Sequence, residues 1–393
     1  MKIGICVRAM HTDGNSSTAF VLAETLLDAG HDVTLLSPVP GQAAVDAPGR
    51  RWAFIHIGQQ RWESDAALIQ RLGRTFAEQH FDVLVVLTGL PIPRIEEAYR
   101  LLPDSTALVP VILGDREHVY EPAVRTARLW NVAVTISPGL NREVERRVPG
   151  RPVRMLTHAI DLPDPTLVAK RASLGSPLRL ISVGRLFGRK NVLVMPPILA
   201  ECGRRGLDVA LTIVGEGPDR GPLEALAREG GVMDRITFRS IPTQAELYQA
   251  LREHHGLLWT AGQGEGLGLV LLEAQANGCV PVATKLPGIS DYAVEEDVTG
   301  LLAPEGDAAA FANQLVALAD PDRWRSLSAA GIERTRRLFS REVMAGELAT
   351  LLEQIRTGGF PTPAARRTAP RHWLGWRAHV PPALRRYIKR LPF

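Results

Sequence analysis

Cysteine is scarce in this chain. Its 393 residues include only Cys6, Cys202 and Cys279. They lie too far apart for a metal-ligand spacing or a disulfide framework, which excludes a stapled secreted domain and predicts a reducing compartment. Long apolar spans are absent. The chain opens on Lys2-Ile-Gly-Ile-Cys-Val7, a strand, without a basic n-region and apolar h-region, so the expectation is a cytoplasmic protein. No Asp-rich metal motif is evident, and no metal or other cofactor is expected. No internal repeat stands out. Acidic residues are missing from one stretch: 361–393 holds eight Arg/Lys and no Asp/Glu. The remaining 38 basic residues face 42 acidic ones, so the net charge of +4 belongs to the tail. A nucleic-acid binder more often carries such charge on a folded face, and no nucleic-acid partner is expected.

What is present is an ordinary globular composition, 45% hydrophobic and 22% charged. The length exceeds what one core usually serves and predicts two domains. Continuous apolar runs, as in a parallel sheet covered on both faces, predict strands at 3–7, 32–36, 53–57, 83–87, 108–113, 132–136 and 153–156. A helix over 17–29, ended by Gly30, follows the first of them. Between 161 and 177 the pattern lapses into Asp-Leu-Pro-Asp-Pro and a short polar stretch, which reads as a linker. A second series predicts strands at 178–183, 209–214, 235–238, 257–260, 280–283 and 301–303. The intervening helices are expected at 191–204, 219–229, 243–252, 268–277 and 307–319. The simplest architecture is α/β, with two doubly wound Rossmann-like sheets facing across a cleft. A helix within 339–356 is expected to cross back onto the first domain, and 357–370 to lead as a flexible linker into the tail.

The most informative segment is Glu265-Gly-Leu-Gly-Leu-Val-Leu-Leu-Glu273, which places one carboxylate in a Gly-rich loop and another eight positions on in an apolar helix. The loop falls at the carboxyl end of a strand, the edge at which open α/β sheets bind ligands. The following helix N-terminus offers N–H groups to an anion. Glu273 stands among Val270, Leu271, Leu272, Ala274 and Ala276, where a carboxylate is costly unless something bonds it; a ligand with vicinal hydroxyls would. The plain alternatives are that Glu265 complements the helix N-terminus and that Glu273 lies on a solvated stripe.

Two more loops sit at strand carboxyl ends. Val183-Gly184-Arg185-Leu-Phe-Gly-Arg-Lys190 supplies a planar guanidinium fork and a mobile ammonium, a combination suited to a pyrophosphate. Val214-Gly215-Glu-Gly-Pro218 has glycines that let backbone approach a ligand closely. Each feature alone is weak, since Gly-rich turns are routine and Arg/Lys pairs are usually solvated surface. Three in one domain favour a site.

In that order, together with Gly288-Ile-Ser-Asp-Tyr and Val298-Thr-Gly-Leu-Leu302, the motifs resemble the donor domain of glycosyltransferase family 4 (glycosyl transferases group 1). The resemblance runs from about 181 to 339 and continues weakly into the first domain at Gly30-His-Asp-Val-Thr34, Ile136-Ser137 and Met155–Asp161. It implies a GT-B enzyme, with an acceptor domain at 1–165 and a donor domain at 175–338. The implied reaction moves a sugar from a nucleoside-diphosphate sugar, UDP-linked by family frequency, to an acceptor hydroxyl with retention. By the resemblance Arg185 and Lys190 hold the diphosphate, with Gly184 and Gly215 beside it. Glu273 takes the ribose hydroxyls and Glu265 faces the donor sugar or its phosphate. Backbone N–H groups of Gly266, Leu267, Gly268 and Leu269 meet phosphate or sugar oxygens, and Arg239-Ser-Ile241 borders the base.

In the first domain the family's Gly-rich loop is reduced to Gly14, within Asp13-Gly14-Asn15, and a plain strand-to-helix loop is the other reading. The family's His-Asp pair is missing from Val111-Ile-Leu-Gly-Asp-Arg-Glu-His118. Either His118 or Asp115 is left to orient the donor sugar or acceptor. His158 and Ala159, which replace the family's Asn and Gly near the hinge, read as structural. Two rivals share the architecture: a nucleotide-sugar epimerase, which needs no acceptor, and a non-catalytic sugar-nucleotide binder.

In the tail, Trp373, Trp376, Val380, Leu384, Tyr387, Ile388 and Leu391 recur mostly at three or four residues, with Arg377, Arg385, Arg386, Lys389 and Arg390 between them. A basic amphipathic segment with Trp on its apolar side suits an anionic membrane surface, which favours a lipid-linked or cell-envelope acceptor over a soluble natural product or small sugar. Docking of 371–393 on the protein's own acidic surface is the alternative. Truncation after Gly359 is expected to abolish sedimentation with anionic liposomes at low salt. Equal sedimentation of both proteins, or none by the full chain, removes the membrane reading.

Overall fold

A computed structural model describes residues 1–7, 14–37, 51–57, 62–87, 95–361, 363 and 379–381. Asp13 and most of the amphipathic tail lie outside the described residues. Contacts divide the chain into two compact units, one of residues 1–136, 140–158 and 344–393, the other of 137–139 and 159–343.

The first unit is built on seven parallel strands: β1 (Lys2–Cys6), β2 (Asp32–Ser37), β3 (Ala53–His56), β4 (Val83–Leu87), β5 (Ala107–Ile112), β6 (Ala133–Thr135) and β7 (Val153–Met155), in the order β3-β2-β1-β4-β5-β6-β7. β4 and β5 are buried along their whole length, which is why their sequences are continuous apolar runs rather than alternating ones. Its helices are α1 (Gly14–Asp28), α2 (Asp65–Glu78), α3 (Glu117–Arg125) and α4 (Pro138–Arg147). The last three are additional to the sequence expectation. α3 and α4 have little apolar face: α4 buries only Leu140 and Val144, and α3 only Val119, Tyr120 and Ala123, whereas α2 buries Leu68, Ile69, Leu72 and Phe76 on one stripe. α1 begins three residues before the expected start, so Gly14 opens a helix instead of lying in a loop.

The second unit has six parallel strands: β8 (Leu178–Val183), β9 (Val209–Val214), β10 (Ile236–Arg239), β11 (Gly256–Trp259), β12 (Val280–Thr284) and β13 (Leu301–Ala303), ordered β10-β9-β8-β11-β12-β13. Its helices are α5 (Pro165–Ala169), α6 (Met195–Arg204), α7 (Arg220–Glu229), α8 (Gln244–Glu253), α9 (Leu269–Ala276), α10 (Ser290–Ala293), α11 (Ala308–Leu318) and α12 (Pro321–Leu338). Leu180, Ile198, Leu211, Ile213, Leu258, Val282, Phe311 and Leu315 fill one core on a single side of this sheet. The helix expected over 191–204 is shorter. Asn191 takes φ +48 between two single 3-10 turns, and α6 starts only at Met195, with prolines in its first turn, where their missing N–H costs nothing. α5, α10 and α12 are additional; α5 lies inside the expected linker, capped by Asp164, whose carboxylate accepts from the Thr166 N–H at 2.7 Å.

The last helix, α13 (Arg341–Arg356), belongs from Met344 onward to the first unit. Leu348, Leu351, Leu352 and Ile355 face Ile3, Val83, Val109 and Val134 across a small apolar cavity. The Thr157 N–H and hydroxyl donate to the Glu347 carboxylate at 2.6 and 3.0 Å. Phe360 is buried under the Arg154 guanidinium, 5.5 Å from its ring centroid, so a cut that separates the tail belongs after Phe360 rather than after Gly359. No described helix is long and apolar enough to cross a membrane.

A histidine ties the start of the second unit together. The His255 Nδ1 accepts from the Arg179 N–H at 3.0 Å, and its Nε2 donates to the Ser173 carbonyl at 2.9 Å. The Trp324 indole donates to the His255 carbonyl at 2.9 Å. Both ring nitrogens are satisfied by one neutral tautomer, and burial, with Arg179 nearby, lowers the His255 pKa from 6.5 to about 4. The folded state therefore binds this proton later than the unfolded chain does. Its contribution to stability is complete above pH 6.5 and is lost as pH falls toward 4, by at most about 1.4 kcal/mol per pH unit. Denaturant unfolding across that window should show the slope, and His255→Asn should flatten it. An unchanged slope in the variant would remove His255 as its source.

Candidate functional site

The order of the second sheet reverses between β8 and β11, and a pocket opens at the carboxyl ends of those two strands. Val183, Gly184, Arg185, Leu186 and Lys190 line it after β8, with Trp259, Thr260 and Ala261 at the end of β11. Such a switch point is where open α/β sheets take their ligands.

Two pairs of backbone contacts build its wall. The Gly184 N–H donates to the Val214 carbonyl at 2.9 Å, and the Leu186 N–H to the Glu216 carbonyl at 2.9 Å, so the β8–β9 ladder continues into both loops. A Cβ on Gly215 would lie 2.0 Å from the Gly184 carbonyl oxygen, and one on Gly217 2.0 Å from that of Leu186. The glycines of the second loop are thus needed for backbone packed on backbone. The sequence suggested space for a ligand there; the space at Gly215 is taken by Gly184. On the other side, the Thr260 hydroxyl donates to the Lys190 carbonyl at 3.0 Å and the Gly262 N–H to the Arg189 carbonyl at 2.8 Å.

The charges at this edge are unequal in number. Glu265 is buried, and its Oε1 pairs with Lys190 Nζ at 3.0 Å and with the Arg189 guanidinium. Arg189 is a residue the sequence reading missed; the signal was a second cation directly beside Lys190. Arg185 and Arg189 both lie on the Phe187 ring, 4.9 and 5.0 Å from its centroid. Burial lowers the Lys190 pKa, Glu265 opposes that, and Arg189 and Arg185 add to the lowering. Arg185, Arg189 and Lys190 thus cluster where Glu265 is the one carboxylate paired with the last two, and the exposed Glu305 carboxylate lies against Gly262 nearby.

Beyond it, Gly264 (φ +96) and Gly268 (φ +80) turn the chain into α9. Gly268 caps α9 with no side-chain hydrogen bond and no acidic residue in the first turn; the Leu271 N–H is taken by the Gly268 carbonyl at 2.8 Å, and the N–H groups of Leu269 and Val270 have no acceptor inside the helix. Gly266 and Leu267 are buried between these turns. Glu273 lies further along α9, outside the pocket lining. It is partly buried and accepts from the Gln244 amide at 2.8 Å, so it already has a partner, one that is neutral. Burial raises its pKa, Gln244 offsets this, and Asp161 raises it further. Ile241 is partly buried in the loop between β10 and α8.

Gly14 and His118 are in the first unit. His118 is exposed in the first turn of α3, and the Tyr120 hydroxyl donates to Asp115 at 2.9 Å. His158 is buried and bonds the Thr18 hydroxyl through Nε2 at 2.8 Å.

Residues 177–320 match the family model of Glycosyl transferases group 1. The second unit belongs to that family. A GDP-mannose-dependent alpha-(1-6)-phosphatidylinositol monomannoside mannosyltransferase of Mycobacterium tuberculosis is 34% identical over 204 residues, covering 48% of this chain and 52% of that protein. The putative colanic acid biosynthesis glycosyltransferase WcaL of Escherichia coli is 29% identical, covering 46% of each. The chain spans about half the length of these curated relatives. The phosphatidyl-myo-inositol mannosyltransferase of Mycolicibacterium smegmatis is 26% identical over 92% of this chain and 95% of that protein. Among solved structures, sucrose-phosphate synthase of Thermosynechococcus elongatus matches with a TM-score of 0.76 at 20% identity, over 91% of this chain and 100% of that one. HepE of Anabaena, in complex with UDP and glucose, matches with a TM-score of 0.73 at 16% identity, over 90% and 99%. At these identities the likeness is one of fold, two parallel-sheet Rossmann-like units, the GT-B set of elements.

In this glycosyl transferases group 1 domain the approach of the two loops is a sharp requirement. Gly215→Ala should cost about 3 kcal/mol or more, because the added carbon meets backbone and φ is +144. Gly188→Ala, with nothing within 4 Å, should change stability by less than about 0.5 kcal/mol. Equal denaturation midpoints for the two variants would show that the loops give way easily.

Proposed function

We propose that this chain is a glycosyltransferase. It takes a hexose from a nucleoside-diphosphate sugar and joins it, with retention, to a hydroxyl of a lipid-linked or cell-envelope acceptor. The observation that carries the reading is the pocket at the β8/β11 switch point, where Arg185, Arg189 and Lys190 outnumber Glu265 beside the uncapped N-terminus of α9. A diphosphate is the leaving group that gains charge as its bond to the sugar breaks. Preorganised cations and helix N–H groups stabilise that charge without reorganising. The anomeric carbon's bond to the phosphate oxygen breaks, its bond to the acceptor oxygen forms, and the hydroxyl proton passes to the departing diphosphate or to a nearby base. Arg185 and Lys190 hold the diphosphate. Arg189 keeps Glu265 in place toward the sugar, and Glu273 accepts the ribose hydroxyls, displacing Gln244.

The donor is read as a GDP-hexose. The relative at 34% identity is named as GDP-mannose-dependent, and this outweighs the expectation of UDP drawn from family frequency. The acceptor reading rests on the phosphatidylinositol and colanic acid wording of the relatives' names and on the basic tail, which would hold the enzyme against the inner face of an anionic membrane.

Transfer from radiolabelled GDP-mannose, UDP-glucose and UDP-N-acetylglucosamine to a bacterial lipid extract tests this. Label should move into the lipid fraction from one donor, and only with acceptor present. Lys190→Ala should lower kcat/KM at least about a hundredfold with little change in melting temperature. Conversion of the donor sugar without acceptor would favour the epimerase. Absence of any turnover, or a Lys190→Ala protein as active as the parent, overturns the proposal.

A further inference from the structure

Trp259 ends β11 at the switch point and is only 3% exposed, yet its indole nitrogen is buried without a hydrogen-bond partner. An unpaired buried N–H is costly, and a phenylalanine would fill the same place without it. Three observations locate that N–H. Trp259 lines the pocket together with Gly184, Arg185, Lys190 and Thr260. The edge of the ring that carries Nε1 abuts α9: Cζ2, two bonds from the nitrogen, lies 3.1 Å from where a Cβ on Gly268 would stand. Gly268 is the N-cap of α9, with no side chain capping the helix. The edge of the ring with the orphan donor thus lies against the start of α9, where Leu269 and Val270 have no acceptor inside the helix, and Trp259 shares its pocket lining with Lys190. A group rich in lone pairs and negatively charged satisfies all of them together.

We infer that the Trp259 indole N–H donates to a phosphate oxygen of the nucleoside diphosphate seated in this pocket, which makes Trp259 a donor-binding residue. The inference rests on the nucleotide-sugar reading above. It assigns a direct ligand contact to a side chain that otherwise belongs to the buried strand.

Calorimetric titration of the full chain with GDP, UDP and inorganic pyrophosphate tests it, using the parent, Trp259→Phe and Lys190→Ala. The Kd of the bound nucleotide should rise about tenfold in Trp259→Phe. The melting temperature of the ligand-free variant should stay at or above the parent's, since an unpaired donor has been removed. In the parent, the selectively labelled Trp259 indole N–H resonance should move downfield on addition of the diphosphate or pyrophosphate, and not with the bare nucleoside. This second measurement decides the matter even where Trp259→Phe folds poorly. If Lys190→Ala weakens binding while Trp259→Phe binds like the parent and the resonance does not move, the inference falls and the nucleotide reading stands; the N–H is then satisfied by water. If the parent binds none of the three probes, both fall.

Discussion

The second unit's binding edge depends on one steric constraint, the approach of two loop backbones after β8 and β9. Hydrogen bonds from Gly184 and Leu186 carry the ladder beyond the ends of the strands. They do so only because Gly215 and Gly217 have no Cβ to strike the opposing carbonyls. The consequence is a rigid lip on which Arg185 stands and from which the 3-10 turn ending in Lys190 departs. A second seam, from Thr260 to the Lys190 carbonyl and from Gly262 to that of Arg189, fixes the same turn to the end of β11. The backbone that carries the cations is thus fixed by hydrogen bonds on both sides, and Glu265 and the Phe187 ring hold the head groups.

Placing three like charges within one loop has an electrostatic cost, and the structure meets it in two ways. Glu265 pairs with two of the cations, and the Phe187 ring accepts the faces of both guanidinium groups. Neither device neutralises the set. The lowered pKa of Lys190 comes first from its burial, with Glu265 opposing the shift and the two arginines adding to it. A diphosphate beside Arg185, Arg189 and Lys190 adds the negative charge that favours the charged form of each of them.

Much of the fold was legible in the sequence because buried parallel strands write continuous apolar runs. Every expected strand corresponds to one in the structure within a residue or two, and Gly30 ends its helix as foreseen. Helices that bury two or three residues, such as α4, leave too short an apolar stripe to register. The break at Asn191 had a signal that the expected helix passed over, since Asn tolerates the αL conformation and Val192 and Val194 are weak helix formers. Of the site, Arg185, Lys190 and Glu265 stood out as charges at strand ends, and the structure brings them to one edge. Arg189, Gln244 and Trp259 did not. Their roles come from partners 76 and 29 residues away for Arg189 and Gln244, and from a missing partner for Trp259. A sequence displays neither distant pairing nor the lack of it.

The two carboxylates that first marked the segment differ in a way that spacing alone does not reveal. Glu265 is held by cations, and the bonds it makes are charge-assisted. Glu273 has only a neutral amide as partner, and both burial and the nearby Asp161 push its pKa upward. A carboxylate in that condition gains from every hydroxyl that donates to it, since each such bond stabilises the charged form that its surroundings disfavour. The Gln244 amide is the cheapest of its contacts to give up, because the exposed glutamine side chain finds water at no cost. Glu265 has the opposite character: displacing it from Arg189 and Lys190 exchanges one anion for another. Along this one strand-loop-helix segment, the first carboxylate balances charge where a diphosphate would sit, and the second stays short of donors where a pair of hydroxyls would supply them.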